Sequence, residues 1–209
     1  MLHVDKLRAE FSGAQATVAV EDATLEIATG EVLGLVGESG CGKSVLVKSL
    51  MRILPPNGRI TGGRVLWLGE DLRTAAEKRM RQVRGREISM IFQNPQASLN
   101  PARRIGDQLS SLVRHMHGCS AAEARVQSIE LLRKVQIADP ERVMGLYAFE
   151  CSGGMCQRIL IAMALTGRPK LLIADEPTTS LDVTIQAQII RLLLDLKNEF
   201  GMSILFVSH

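Results

Sequence analysis

Aromatic side chains are nearly missing from this chain of 209 residues, where Phe, Tyr and Trp together make up 3%. A core must therefore be built mainly from Leu, Ile, Val, Met and Ala. Long apolar runs are missing as well. The longest, Ile159-Leu160-Ile161-Ala162-Met163-Ala164-Leu165, fits inside a buried helix and falls far short of the ~20 residues that span a bilayer. The N-terminus, Met1-Leu2-His3-Val4-Asp5-Lys6, lacks the charged start and apolar middle of a signal peptide. The 4 cysteines, Cys41, Cys119, Cys151 and Cys156, show no CxxC spacing, so free thiols are the plain reading. Charge of one sign is scarce too. With 25 basic and 22 acidic residues the net charge is +3, too small and too dispersed to argue for nucleic acid.

What is present is ordinary globular material, 46% hydrophobic and 22% charged, enough for one domain with a real core. That excludes a disordered chain, a collagen-like one and a disulfide miniprotein. The expectation is a soluble chain inside the cell. Val32-Leu33-Gly34-Leu35-Val36 reads as a buried strand, and Lys43 to Leu54 as a helix closed by Pro55-Pro56-Asn57-Gly58. Thr61 to Leu68 and Glu87 to Phe92 read as strands. Leu171 to Ala174 and Ser203 to Val207 are continuous apolar runs, as in strands covered on both faces. Between them the texture is helical. Ser120-Ala121-Ala122-Glu123 is a capping box opening a helix with Val126, Ile129, Leu132 and Val135 on one face. A second helix runs from about Gly153 to Leu165. A third spans Thr184 to Phe200 and stops at Gly201. The sum is an α/β core with a helical insertion over about 94–165.

Gly37-Glu38-Ser39-Gly40-Cys41-Gly42-Lys43-Ser44 has the spacing G-x-x-x-x-G-K-[ST], after a strand and opening a helix. Glycines let the loop turn successive N–H groups inward as an anion nest. The helix start adds partial positive charge, Lys43 reaches the β- and γ-phosphates, and the Ser44 hydroxyl can ligate Mg²⁺. Chance alone gives these four fixed positions in roughly 0.5% of chains of this composition, before strand–loop–helix context is required. Binding of a nucleoside triphosphate is the reading, with Cys41 a small loop residue whose backbone does the binding.

Leu171-Leu172-Ile173-Ala174-Asp175-Glu176 then sets two acids at the end of a buried strand. In a P-loop fold that strand lies beside the one feeding the loop. Asp175 would hold a metal-bound water and Glu176 would act on the attacking water as general base.

A P-loop leaves kinases, GTPases, helicases and transporters open. Cys151-Ser152-Gly153-Gly154-Met155-Cys156-Gln157-Arg158 narrows the choice, because it resembles the signature of the ATP-binding-cassette family, LSGGQ or LSGGM. Ser152 and the amides of Gly153 and Gly154 begin a helix, a second N-terminal anion site. The resemblance implies that this site caps the γ-phosphate held by a partner's P-loop, so that ATP is sandwiched between two chains. It implies further that Gln93 is the Q-loop residue contacting Mg²⁺, that His209 is the switch histidine at the γ-phosphate and that Asp182 is the D-loop aspartate. Val45 joins the nucleotide-binding set with Gly37 to Ser44. Phe11 either stacks on adenine or packs as an ordinary core residue.

Leu54-Pro55-Pro56-Asn57-Gly58-Arg59-Ile60-Thr61-Gly62-Gly63, Phe92-Gln93-Asn94-Pro95-Gln96-Ala97-Ser98-Leu99-Asn100-Pro101, Leu146-Tyr147-Ala148-Phe149-Glu150 and Ala174-Asp175-Glu176-Pro177-Thr178-Thr179-Ser180-Leu181-Asp182-Val183-Thr184 are similar to the dipeptide, oligopeptide and nickel importer branch. The fold this implies is α/β, a P-loop ATPase core over 1–93 and 166–209 with an N-terminal β-subdomain and an inserted helical subdomain over 94–165. The function implied is ATP hydrolysis energising uptake of di- or oligopeptides, or of nickel or another small solute. The partners implied are a second ATPase subunit, paralogous or identical, two transmembrane permeases and, indirectly, a periplasmic or extracellular binding protein, with no nucleic acid. Such a subunit sits peripherally on the cytoplasmic face of the membrane. Cassette proteins of DNA repair or translation carry long coiled-coil insertions or tandem cassettes, which this length does not hold. Three positions depart from the branch: Cys151 for the usual Leu, Cys156 for the usual Arg and Ala148 for Pro. The family continues beyond the position of His209 with further strands and helices, so a fragment of a longer polypeptide is expected. His115 and His117 suggest a metal but read as solvated residues of a helix.

Overall fold

The computed structural model describes residues 1–13, 16–179 and 181–208. The chain opens with β1 (Leu2–Phe11), β2 (Thr17–Ile27), β3 (Val32–Val36), α1 (Lys43–Leu50), β4 (Gly58–Trp67) and β5 (Glu70–Asp71). Next come α2 (Glu77–Val83), β6 (Ile88–Ile91) and a helical stretch of α3 (Pro95–Ser98), α4 (Ile105–His117), α5 (Ala121–Lys134), α6 (Pro140–Val143) and α7 (Gly153–Leu165). It returns through β7 (Leu171–Asp175), α8 (Val183–Phe200) and β8 (Ser203–Ser208).

The strands form two sheets. One is antiparallel in the order β2-β1-β4-β5, and the other is parallel in the order β3-β8-β7-β6. Parallel strands need crossover connections. The stretch α3 to α7 fills the one between β6 and β7, and α8 the one between β7 and β8.

The parallel sheet is a wall between two cores, because successive side chains of a strand face opposite ways. On β7, Leu172 and Ala174 join Ile91, Ile204 and the buried faces of α4, α5, α7 and α8. Leu171 and Ile173 point the other way, joining Leu205, Val207, Trp67 and residues of α1 and the antiparallel sheet. Each fully buried Leu or Ile contributes roughly 1.5–3 kcal/mol on folding, so β7, buried at all five positions, anchors both sides at once. The indole of Trp67 is fully buried with its N–H satisfied, donating to Glu87 Oε2 at 2.7 Å.

The helix readings hold at α7, at α8 with its Gly201 stop, and at the capping box of α5. Four details differ from expectation. β3 is an edge strand, and Val32 and Val36 are 42% and 69% exposed rather than buried. α1 ends at Leu50, where Met51 and Arg52 leave the helix, Arg52 with φ 50°. β4 begins at Gly58 rather than Thr61. On α5 the buried residues are Ala124, Ser128 and Leu132, while Val126 is 57% exposed. The small Ala124 and Ser128 let α4 approach, and Ser110 and Ser128 join their hydroxyls across the contact at 3.1 Å. Among the described residues no helix is long and apolar enough to cross a membrane.

Candidate functional site

Residues 37–44 carry the chain from the C-terminal end of β3 into α1. Gly42 is the N-cap of α1 with φ 97°, and no side chain caps the helix. A Cβ on Gly42 would lie 2.3 Å from the carbonyl oxygen of Ala19 on β2, so the position is closed to any other residue. The first amides of α1, at Lys43, Ser44 and Val45, therefore start a helix with no acidic residue in its first turn, a ready donor set for an anion. Lys43 is 7% exposed and its ammonium donates to Gly37 O at 2.5 Å and Glu38 O at 2.8 Å. Glu38, Ser39, Gly40 and Cys41 line the exposed rim of this loop, and Val45 packs partly against the core below it.

The parallel sheet brings the acids to this loop. Ser44 Oγ donates to Asp175 Oδ1 at 3.0 Å, across 131 residues of sequence. Asp175 is 2% exposed, and burial pushes its carboxyl above the ordinary value. The Ser44 hydrogen bond and Lys48 act against that rise, and the neighbouring Glu176 adds to it. Glu176 follows in a left-handed backbone conformation, φ 48°, which costs a non-glycine residue about 1 kcal/mol. The turn aims its carboxylate at Gln93 and Thr179. Gln93 Nε2 donates to Glu176 Oε2 at 2.5 Å and Thr179 Oγ1 to the same oxygen at 3.1 Å. Ligands bind at the carboxyl ends of strands in sheets of this kind, and β3, β6 and β7 deliver the loop, Gln93 and the acids to that edge.

The donor set suits a small hard cation. A serine hydroxyl and a buried carboxylate stand side by side, oxygen ligands of the kind Mg²⁺ takes beside nucleotide phosphates. Burial raises the pKa of the Asp175 carboxyl, and a cation lying against it would draw that pKa back down. Gln93 turns its amide nitrogen to Glu176, leaving Oε1 as the atom that can ligate.

Ser152, Gly153 and Gly154 open α7. Ser152 is its N-cap, accepting from Met155 N at 3.2 Å, and is exposed. Among the described residues no hydrogen bond joins Ser152 to the loop at 37–44. Gly153 and Gly154 are half-buried, and a Cβ on them would meet Leu181 Cδ2 at 3.3 Å and Ile185 Cγ2 at 3.1 Å of the same chain, so only Ser152 is exposed at this helix start. Asp182 caps α8, accepting from Ile185 N at 3.0 Å. Phe11 ends β1 with its ring against Gly58, where a Cβ would meet Phe11 Cε1 at 2.9 Å. His209 and Ser180 lie outside the described residues. His117 Nε2 bonds Thr166 O at 2.9 Å, a packing contact between α4 and the end of α7. Among the described residues, no group of three or more His, Cys, Asp and Glu side chains is placed to hold a metal ion.

Sequence reasoning did not single out Thr179 or Lys48. Thr179 stands three residues after Glu176, the spacing at which a turn returns a side chain to it. Lys48 follows Ser44 by one turn of α1, and that periodicity was its signal.

Known proteins resemble this chain in sequence and in fold. A family model described as ABC transporter matches residues 20–179. A probable peptide ABC transporter ATP-binding protein, y4tR of Sinorhizobium fredii, is 49% identical over 212 residues, covering 100% of this chain and 63% of its own length. The oligopeptide transport ATP-binding protein OppD of Salmonella typhimurium is 47% identical over 210 residues, covering 100% of this chain and 62% of its own. The chain thus spans a little under two thirds of these relatives. Among solved structures, the ATP-binding cassette MJ0796 in a dimeric post-hydrolysis state with ADP and Pi superposes with TM-score 0.87. It is 26% identical, with 100% of this chain and 88% of that one covered.

Proposed function

This chain belongs to the ABC transporter family, and from that membership we propose that it is the ATP-hydrolysing subunit of an importer for di- or oligopeptides. The observation that carries the reading is the meeting of the P-loop with the end of β7, where Ser44 and Asp175 stand 3.0 Å apart beside Glu176. The names of its relatives, peptide and oligopeptide transport ATP-binding proteins, support the cargo class.

In this reading the α1 amides and Lys43 bind the β- and γ-phosphates of ATP, exchanging the carbonyl partners of the ammonium for phosphate oxygens. Ser44, Asp175 and Gln93 would hold Mg²⁺, which supplies charge neutralisation at the phosphates. Glu176, oriented by Gln93 and Thr179, takes the proton of the attacking water. The α7 start offers Ser152 and the amides of Gly153 and Gly154 to a γ-phosphate on a second ATPase subunit, identical or paralogous. Each γ-phosphate then gains donors from both chains, a differential contact that favours the closed dimer. Asp182 and His209 take the cross-dimer and γ-phosphate roles that their motif positions imply.

Such a subunit works on the cytoplasmic face of a membrane, beneath two permeases fed by a binding protein. An apolar groove beside Phe92, lined by Met51, Met90, Leu112, Met116 and Met163, suits a permease helix, since methionine surfaces adapt to varied partners. The test is Lys43→Ala in the full transporter. It should abolish ATP turnover and ATP-driven peptide uptake, and retained turnover would refute the phosphate assignment.

A further inference from the structure

The residue before a helix cap and the fourth residue of the helix often pack together as a hydrophobic staple. In α7 these two positions are Cys151 and Cys156. Both thiols reach into the same short turn. Cys151 Sγ donates to Tyr147 O at 3.6 Å and Cys156 Sγ to Ala148 O at 3.5 Å, adjacent carbonyls of that turn. Cys156 Sγ is 3.9 Å from Cys151 O. The two residues are 5% and 0% exposed. They form a dithiol across the helix start, with Ser152, Gly153, Gly154 and Met155 between them.

We propose that Cys151 and Cys156 are a modification site, an oxidisable staple whose intramolecular disulfide disables the helix start at Ser152 as an anion site. The consequence for activity rests on the reading above, in which that helix start meets a nucleotide. The oxidant is a hydroperoxide. One sulfur attacks the O–O bond, giving a sulfenic acid and releasing an alcohol, or water from hydrogen peroxide. The second sulfur displaces the sulfenic oxygen as water and forms the S–S bond. Two thiols lose two protons and two electrons, and the hydroperoxide is reduced by the same two electrons.

A disulfide holds its sulfurs about 2.05 Å apart, whereas unbonded thiols in contact stand at roughly 3.5–4 Å. Closing the bond draws Cys151 toward the first turn of α7 and shifts Ser152 with it. It also removes both S–H donors from the turn at Tyr147 and Ala148. Burial pushes both thiols up, Cys156 to about 11, and the Glu150 carboxylate adds to the rise at Cys151. Glu150 and the thiols themselves are the titratable groups acting on the pair. Thiolate is therefore scarce at neutral pH, and the reaction should quicken about tenfold for each pH unit below that range.

The test treats the full chain with hydrogen peroxide, alkylates it and digests it with trypsin. No Lys or Arg lies between Arg142 and Arg158, so both cysteines fall in the peptide Val143–Arg158, away from Cys41 and Cys119. That peptide should lose about 2 Da and take up alkylating agent only after reduction. ATP turnover should fall about tenfold or more and return with dithiothreitol. Cys151→Ser and Cys156→Ser chains, each compared with its own untreated state, should keep their turnover. A peptide that retains two alkylatable thiols at saturating peroxide overturns the site. An equal loss of turnover in both variants assigns the inhibition to another thiol and overturns its effect on Ser152. Reduced wild-type chain without any ATP turnover would strike the functional reading instead, while the mass shift decides the disulfide by itself.

Discussion

Asp175→Asn separates what the buried acid does for the fold from what it does for a ligand. Asp175 is 2% exposed, and its carboxylate accepts from Ser44 Oγ at 3.0 Å. Burial raises its pKa above the value it has in the unfolded chain. Between the two values the folded protein binds more protons than the unfolded one, so stability falls as pH rises through that window. Above it the loss is complete. At neutral pH an ionised Asp175 therefore weakens the ligand-free fold. Asn keeps an acceptor for Ser44 and removes both the charge and its repulsion with Glu176. The ligand-free variant should melt higher at pH 7 by about 1 kcal/mol, or ~2–4 °C for 209 residues. That advantage should fade as pH falls to the unfolded-state value of about 4 and below it. With Mg²⁺ and ATP the order should reverse. Wild type gains about 2.7 kcal/mol at a hundred times Kd, roughly 5–10 °C, and the variant gains far less. Differential scanning fluorimetry across that pH range, with and without Mg²⁺ and a non-hydrolysable ATP analogue, reads both arms. A variant that melts lower without ligand would show that the carboxylate stabilises the fold. An equal ligand-induced shift in both proteins would remove Asp175 from the metal site.

Glu176→Gln keeps an acceptor for Gln93 and Thr179 but cannot take a proton, so turnover should drop about 10²–10⁴-fold while ATP binding persists. Single-turnover hydrolysis beside filter binding checks it, and an unchanged rate would exclude Glu176 as the base. Gly167→Ala tests packing away from the site, because its Cβ would fall 1.7 Å from Gly85 O. The backbone must shift, so the melting temperature should fall by about 10 °C, an effect of ~3 kcal/mol or more, and a fall under about 2 °C would refute the close approach.

The P-loop is visible in sequence because its donors must converge on one phosphate group within a single turn, which fixes their spacing. The contacts that organise the rest of the site are not local. Gln93 meets Glu176 across 83 residues and Ser44 meets Asp175 across 131, so residue types were readable and hydrogen bonds were not. Nor does a glutamate announce a left-handed backbone. The N-terminal strands hid for a different reason. Lys6, with φ 46°, sits in a register shift of β1 that moves the buried face from Leu2 and Val4 to Leu7 and Ala9. That break destroys the period-two pattern a strand would otherwise display. β3 and β7 look alike as apolar runs, and only their places in the sheet make one an edge and the other a centre.

The two-core arrangement also explains why the chemistry sits where the strands end. Along β7 every side chain is committed to one core or the other, leaving none to serve a ligand until Asp175 and Glu176 reach the edge. Gln93 stands at the same edge, two residues after β6 and two before α3. α3 packs on α7, whose body is buried while its start at Ser152 is exposed. Close-packed interiors pass displacements on rather than absorbing them. The end of β6, α3 and the body of α7 therefore form one packed unit that carries Gln93. The Gln93 hydrogen bond at 2.5 Å ties that unit to the Glu176 carboxylate at the end of β7.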